Sequence, residues 1–328
     1  MSHSNPKLED VAKRAHVSKM TVSLCLREDQ GEGRMSPATR DRVLAAVKEL
    51  NYRPNGRARA LRLGRTNVFA FYAGHGFVNV RKPFFTEIVS GLQEGCESVR
   101  KDLLLHSTFH SATSEEILSE LKDGRIDGLI ASMPMDDPLA LGLAGGDMPV
   151  VAVADELEGI PSVLVDDVGG ARMIVDHLHS QGHKRVAYFT ARVEPLSGRR
   201  RRISFLNRAA ELGMQVVVLY HSFETWESGV QMAISCGFTA LACWCDDLAY
   251  ETIALLMKLG IEIPNQIAVT GFDGCPSSIP TTLPLTTISA PWSAVAKSAT
   301  LLLNSRLTGN EVAQCIVLPV EFIVGATT

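Results

Sequence analysis

The chain has 328 residues, too many for one ordinary compact core, so two or three domains are expected. With 46% apolar and 21% charged residues it is neither a disordered nor a membrane-spanning composition; no run of about 18 apolar residues occurs, and the polar start MSHSNPKLEDVAKRAHVS has no signal-peptide core. The net charge of −4 conceals an asymmetry, 14 Lys/Arg against 7 Asp/Glu up to Arg65 and 18 against 29 afterwards: a basic head on an acidic body, the footprint of nucleic-acid binding, although a solvated charged face would account for the charge alone.

Leu8, Val11, Ala12 and Ala15 recur at helical spacing, giving a first short helix with Asn5 as the expected cap and Pro6 behind it. His16-Val17 breaks the pattern, in a turn where Gly is usual, and His is among the residues that tolerate the left-handed conformation. Ser18 then caps a second helix from Lys19 to about Leu26, with Val22 and Leu26 facing inward. Two short helices across a tight turn make a helix-turn-helix. Ser36-Pro37 opens a third helix, with Val43, Val47 and Leu50 as its buried stripe. From Arg53 to Arg65 the chain holds five Arg and no acid, a basic linker.

After Arg65 apolar strands alternate with amphipathic helices. The first series has strands near 68–72, 103–108, 126–132 and 149–154, with helices near 83–101 and 114–122. The second has strands near 185–190, 215–220, 240–244 and 267–273. Such alternation implies parallel sheets with helices on both faces, an α/β class. Two series predict two lobes, with a ligand crevice at the carboxyl ends of their strands.

Other motifs carry less. Seven scattered cysteines fit reduced thiols in a cytoplasm better than a disulfide framework. Cys243-Trp244-Cys245 lacks a His pair at ligand spacing, so strand-end thiols are expected there and no metal. His177 and His179 lie two apart on a helix and are expected at the surface. In the run Arg199–Arg202, one Arg is expected in a pocket and three in solvent. Gly169-Gly170 lacks the dinucleotide pattern, and no nucleophile elbow, P-loop or HExxH occurs. Nothing points to catalysis, and no cofactor is expected.

The segments LEDVAKRAHVSKMTVS, SPATRDRVLAAVKELNYRPN and ARALRLGRTN resemble, in order and spacing, the head and hinge of the lactose/purine repressor family of transcription regulators. PFFTEIVSGLQEG, VLVDDVGGARMIVDHLHSQGHKRVAYF, SGRRRRISF, VTGFDG and PLTTI resemble its periplasmic-binding-protein-like sensor, so the likeness spans nearly the whole chain. The resemblance implies a DNA-binding domain at 1–52, a hinge at 53–66 and a ligand-sensing, dimerising domain at 67–328. Its first lobe would comprise about 67–166 and 292–318, and its second about 167–291 and 319–328.

The same likeness implies roles. A recognition helix capped by Ser18 would enter the major groove, with Lys19 and Met20 reading bases and Thr21 and Ser23 contacting phosphates. Leu24 stands where many members carry a base-reading Arg, and Arg27 where Asn is common, so an unusual operator is expected. The segment Asp29–Arg34 reads as a slightly long loop before the third helix. In the hinge, Asn55 would touch the backbone, Arg57 and Arg59 would line the minor groove, and Leu61 would wedge into it. In the sensor, Phe84, Phe85 and Asp155 would come from the first lobe and Arg201 and Asp273 from the second. An aromatic plate is expected near Phe223 or Trp226. Cys245 replaces a common Asn before Asp246, and Gly274 the second Asp of a GFDD turn, which leaves the ligand open. The resemblance implies a repressor that binds double-stranded DNA at a palindromic operator and is controlled by a small molecule, a sugar or sugar derivative. The ending VEFIVGATT lacks a heptad-bearing helix, so a homodimer in the cytoplasm is expected rather than a tetramer.

Overall fold

A computed structural model describes residues 6–26, 35–54, 60–61, 64–74, 78–107, 113–134, 137–221, 226–277, 281 and 283–328. The chain divides into two units, 1–66 and 67–328.

The first unit contains α1 (Leu8–Ala15), α2 (Lys19–Cys25) and α3 (Pro37–Glu49). Lys7, not Asn5, is the N-cap of α1, and the Asp10 carboxylate accepts the Lys7 N–H at 2.8 Å. Asn5 lies outside the described residues. His16 ends the helix at φ 53°, ψ 48°, and the Val17 N–H returns to the Ala12 carbonyl at 3.1 Å, the closure Gly usually provides. Ser18 and Ser36 accept the N–H groups of Thr21 and Thr39 at 3.1 and 3.3 Å, and Pro37 needs no donor at its position. The core joins Val11, Ala12, Ala15, Val22, Cys25, Val43, Ala46 and Tyr52. Cys25 and Ala46 take the inward places expected of Leu26, Val47 and Leu50, which pack only at the margin. The small side chains let three short helices approach closely.

The second unit carries β1 (Val68–Ala73), α4 (Pro83–Ser98), β2 (Asp102–Leu105), α5 (Ser114–Leu121), β3 (Gly128–Ser132), α6 (Pro138–Ala144), β4 (Val150–Val153) and β5 (Ser162–Val165). There follow α7 (Asp167–Ser180), β6 (Arg185–Ala191), α8 (Leu196–Glu211), β7 (Gln215–His221), α9 (Trp226–Ser235), β8 (Ala240–Cys243), α10 (Asp246–Lys258) and β9 (Ala268–Thr270). The unit closes with β10 (Thr287–Ser289), α11 (Trp292–Leu307), β11 (Cys315–Leu318) and β12 (Glu321–Ile323).

Two parallel sheets result, ordered β11-β5-β4-β3-β1-β2 and β7-β6-β8-β9, with β10 and β12 paired antiparallel. The fold class is therefore α/β with parallel sheets. The central strands β1, β3, β4 and β5 are buried nearly throughout, as strands covered on both faces must be. In the second sheet alternate residues divide between two layers. Val186, Tyr188 and Ala242 join the core under α7 and α8, whereas Ala187, Phe189, Leu241 and Cys243 join that of α9 and α10.

The helix α11 packs on α4 and on β3, β4 and β5, which returns the chain to the first sheet, where β11 adds beside β5. The strand β12 then pairs with β10 beside α7. The strand β5 and the helix α6 are not among the elements expected from the sequence; they span only four and seven residues. The strand near 103–108 proves shorter, and the helix from Pro83 ends at Ser98 rather than at 101.

Candidate functional site

On the head, α2 turns Val22 and Cys25 inward, which leaves Lys19 and Met20 outward; the Met20 side chain is 81% exposed. An apolar side chain that open in a short amphipathic helix contributes nothing to the core. Lys19 Nζ pairs with Glu9 Oε2 on α1 at 3.1 Å, and that cation holds the Glu9 carboxyl below its usual range. Thr21 shares a hydroxyl contact with Ser18 at 2.9 Å, and Ser23 is half-buried. Leu61 is 89% exposed. Arg27, the loop Asp29–Arg34, Asn55, Arg57, Arg59 and Phe223 lie outside the described residues.

In the second unit a cavity of about 400 Å³ opens where β3 and β4 of one sheet and β6, β8 and β9 of the other end. Phe84, Phe85, Asp155, Arg201, Cys245 and Asp273 all line it, together with Lys82, Trp244, Asp247 and Trp292. The site is therefore assembled from segments as far apart in the chain as Lys82 and Trp292, brought together because parallel strands deliver all their following loops to one edge.

Trp226 is not among them. It begins α9 and packs edge-on against Phe189 at 4.8 Å, within the core on the other face of the second sheet. The cavity's indoles are Trp244, at the end of β8, and Trp292, at the start of α11. Trp244 stood between two cysteines weighed for metal, where its position past a strand end was the available signal. Trp292 is packed edge-on by Phe84 at 5.0 Å, and its Nε1 has no hydrogen-bond partner among the described residues.

Arg201, 3% exposed, is the electrostatic centre. Its Nε donates to Asp167 at 2.8 Å, and its Nη1 to Asp273 at 3.1 Å and to the Trp244 carbonyl at 3.0 Å. The guanidinium lies 3.6 Å from the ring centre of Phe272. Burial opposes its charge, but the two carboxylates outweigh burial and keep its pKa raised. Burial pushes the Asp273 carboxyl up, against the pull of Arg201. Asp246, directly behind, is pushed up by burial and by Asp273, although Thr287 and the Cys275 N–H donate to it at 2.5 and 2.8 Å. Asp155, raised by burial, accepts the Ser197 N–H at 2.6 Å, a bond from the segment after β4 to the start of α8. Burial also raises the Cys245 thiol well above its ordinary range.

Backbone strain gathers here. Ala154 sits at φ 70° and Asp273 at φ 129°, both on the cavity wall, in conformations worth about 1–3 kcal/mol each that surrounding structure must hold. Gly274 has a local reason. It adopts φ 70°, and a Cβ would fall 2.6 Å from the Ser289 Cα, so no second Asp fits that turn.

The run Arg199–Arg202 departs from the expectation of three solvated members. Arg200 pairs with Asp167 at 2.7 Å and with Glu156 at 3.4 Å, and Arg202 with Glu194 at 2.8 Å, so only Arg199 is exposed. His177 is likewise half-buried, its Nε2 2.8 Å from the Thr328 hydroxyl and its ring 4.8 Å from Phe322; His179 is exposed. The cause is the C-terminal strand, which covers the face of α7 that the local sequence left open. Cys243 is buried 3.4 Å from the Thr252 hydroxyl, whereas Cys245 faces the cavity. No helix among the described residues is long and apolar enough to cross a membrane.

Known proteins resemble the chain at every level. Residues 7–55 match the family model of bacterial regulatory proteins, lacI family, and residues 175–328 that of a periplasmic binding protein-like domain. The sucrose operon repressor of Pediococcus pentosaceus is 30% identical over 340 residues, covering 98% of this chain and 99% of the relative. The transcriptional repressor PurR of Photobacterium profundum is 28% identical over 316 residues, 92% of this chain and 91% of the relative. Among solved structures, the Lac repressor dimer bound to operator and the anti-inducer ONPF superposes with a TM-score of 0.84 at 23% identity, covering 99% of both chains. The regulator CelR in complex with cellobiose gives 0.72 at 24% identity, covering 98% of this chain and all of that one. A capped helix-turn-helix joined to a two-sheet cavity, matched end to end by such relatives, places the chain in the lacI family of bacterial regulatory proteins: it is a DNA-binding transcription repressor.

Proposed function

We propose that this repressor is a homodimer that binds a palindromic operator and releases or tightens on it when a sugar or sugar derivative enters the cavity between its two lobes. Residues 1–52 form the DNA reader, 53–66 the hinge and 67–328 the sensor. Ser18, Lys19, Met20, Thr21, Ser23 and Arg27 dock α2 in the major groove, where Lys donates to guanine edges and Met packs on a thymine methyl. Asn55, Arg57, Arg59 and Leu61 enter the minor groove, with Leu61 as the wedge. One head reads a short half-site, so two-fold pairing gives the palindrome. Working on chromosomal DNA, the protein acts in the cytoplasm.

The observation that carries the sensor reading is the cavity itself. Flat faces from Phe84, Phe85, Trp244 and Trp292 stand beside an Arg201–Asp273 ion pair and the Asp155 carboxylate. Rings stack on such faces while hydroxyls accept hydrogen bonds from the guanidinium and donate them to the carboxylates. The Nη2 of Arg201 makes no bond to a described residue and is left for ligand. CelR binding cellobiose agrees with this chemistry. A coupling of about 1–3 kcal/mol between cavity and operator suffices for a switch.

The test is a melting screen of the purified protein against sugars and their derivatives. A ligand at about 100 times its Kd adds roughly 2.7 kcal/mol to the native state. That raises Tm by roughly 2–4 °C per kcal/mol for a domain of this size. The hit should change retention of duplex DNA selected from a random pool, and the selected sequences should be two-fold symmetric. A protein that binds DNA but melts unchanged with every compound would refute the sensor reading.

A further inference from the structure

The balance of charge in the cavity narrows the effector further. Its charged lining consists of Lys82 and Arg201 against Asp155, Asp247, Glu251 and Asp273. Both cations are already engaged. Lys82 Nζ bonds Asp247 across the mouth at 2.7 Å, and Arg201 is held between Asp167 and Asp273 at 2.8 and 3.1 Å. Asp155 differs: it is 4% exposed, accepts the Ser197 N–H, and has no cation within 4.0 Å among the described residues, Arg200 acting on it only from farther off while paired with Asp167 and Glu156. A carboxylate that deep normally finds a charge partner in the protein, because an unpaired buried charge is costly.

The cavity that Asp155 lines also has aromatic walls. Phe84 meets Phe85 at 5.3 Å and Trp292 at 5.0 Å, and Trp244 adds a further indole. Carboxylate beside aromatic faces is the chemistry that recognises an organic cation, by ion pairing and by attraction to the ring quadrupole. An anion entering the same space would meet an excess of negative charge and find the charge of both protein cations already balanced by carboxylates.

We propose that the natural effector carries a protonated amine, as an amino-deoxy sugar does, with the ammonium at Asp155 and its hydroxyls at Arg201 and Asp273. This rests on the reading that the cavity is the effector site. It separates this sensor from one for sugar acids or sugar phosphates, which would need an unpaired cation where this chain has an unpaired carboxylate.

The experiment uses the intact protein and matched triplets of probes: a neutral hexose, its amino-deoxy counterpart and its uronic acid, in several stereochemical series, followed by melting and calorimetry at pH 7. In a series that binds, the amine should bind about 10- to 100-fold more tightly than the neutral sugar, the range of one charge-assisted hydrogen bond. The uronic acid should bind most weakly. Asp155→Asn should bring the amine-to-neutral ratio to within about threefold. Phe85→Leu, which removes a ring face but keeps an apolar side chain and the Asp155 carboxylate, should lower the same ratio by a smaller factor and serves if Asp155→Asn does not fold. Equal binding of neutral sugar and amine, tightest binding of the acid, or a ratio untouched by both variants overturns the proposal and leaves the sensor reading standing. No response from any series, in protein that still binds DNA, overturns both.

Discussion

Replacing Arg201 by Met should unfold the sensor well below its normal Tm, and the cost can be worked from its surroundings. Met keeps an apolar stem against Phe272 but removes the charge between Asp167 and Asp273, whose side chains are 1% and 11% exposed. Breaking a buried pair by deleting one partner costs about 3–5 kcal/mol. The lower end applies here, because Asp167 retains Arg200, whose Nε and Nη2 lie 3.0 and 2.7 Å away, and Asp273 alone is stranded. About 3 kcal/mol at 2–4 °C per kcal/mol is a fall of about 6–12 °C. Calorimetry of the sensor transition at pH 7.5 reads it directly. If the stranded carboxylate is the cause, Asp273→Asn added to Arg201→Met should recover about 1–2 kcal/mol, since Asn tolerates the positive φ at that position. Purely additive losses in the double variant would refute the ion-pair account and assign the loss to packing against Phe272.

Three further outcomes are expected. Leu61→Ala should weaken binding to the selected operator far more than binding to random duplex, because only specific DNA is kinked by a wedge; equal losses by fluorescence anisotropy would dismiss it. Gly91→Ala should lower Tm by an amount corresponding to about 1–3 kcal/mol, since the new Cβ would collide with the Ser293 carbonyl where α4 crosses α11; an unchanged Tm would mean the two helices separate freely. Asp246 has a folded pKa raised above its unfolded value of 3.8, so its stabilising contribution is present at low pH and is lost as pH rises through the raised value. Asp246→Asn should therefore gain Tm relative to the unmodified protein between pH 5 and pH 8, and a difference constant with pH would show that Asp246 titrates as in the unfolded chain.

Local patterns carried most of the architecture. The caps Ser18 and Ser36, Pro37 at a first helical position and the left-handed His16 act within a few residues of themselves, so they were legible in order. The same holds for the longer apolar strands, whose burial on both faces leaves no polar alternation. The cavity residues Phe84, Phe85, Asp155, Arg201, Cys245 and Asp273 were found through likeness to a family, not through spacing, because they come from five segments far apart in the chain.

What the sequence by itself determined is local: where helices begin and stop, which faces are apolar, that a basic head precedes an acidic α/β body. What only the tertiary structure decided is which side of a sheet a loop residue serves. Trp226 and Trp244 are indistinguishable as isolated indoles near a strand end, yet one packs on Phe189 and the other lines the cavity. The same holds for Arg200, Arg202 and His177, whose partners Asp167, Glu194 and Thr328 make buried or half-buried groups of what reads as solvated surface. The physical reason is that pairing and desolvation depend on neighbours supplied by distant segments, whereas capping and periodicity depend on the chain's next few residues.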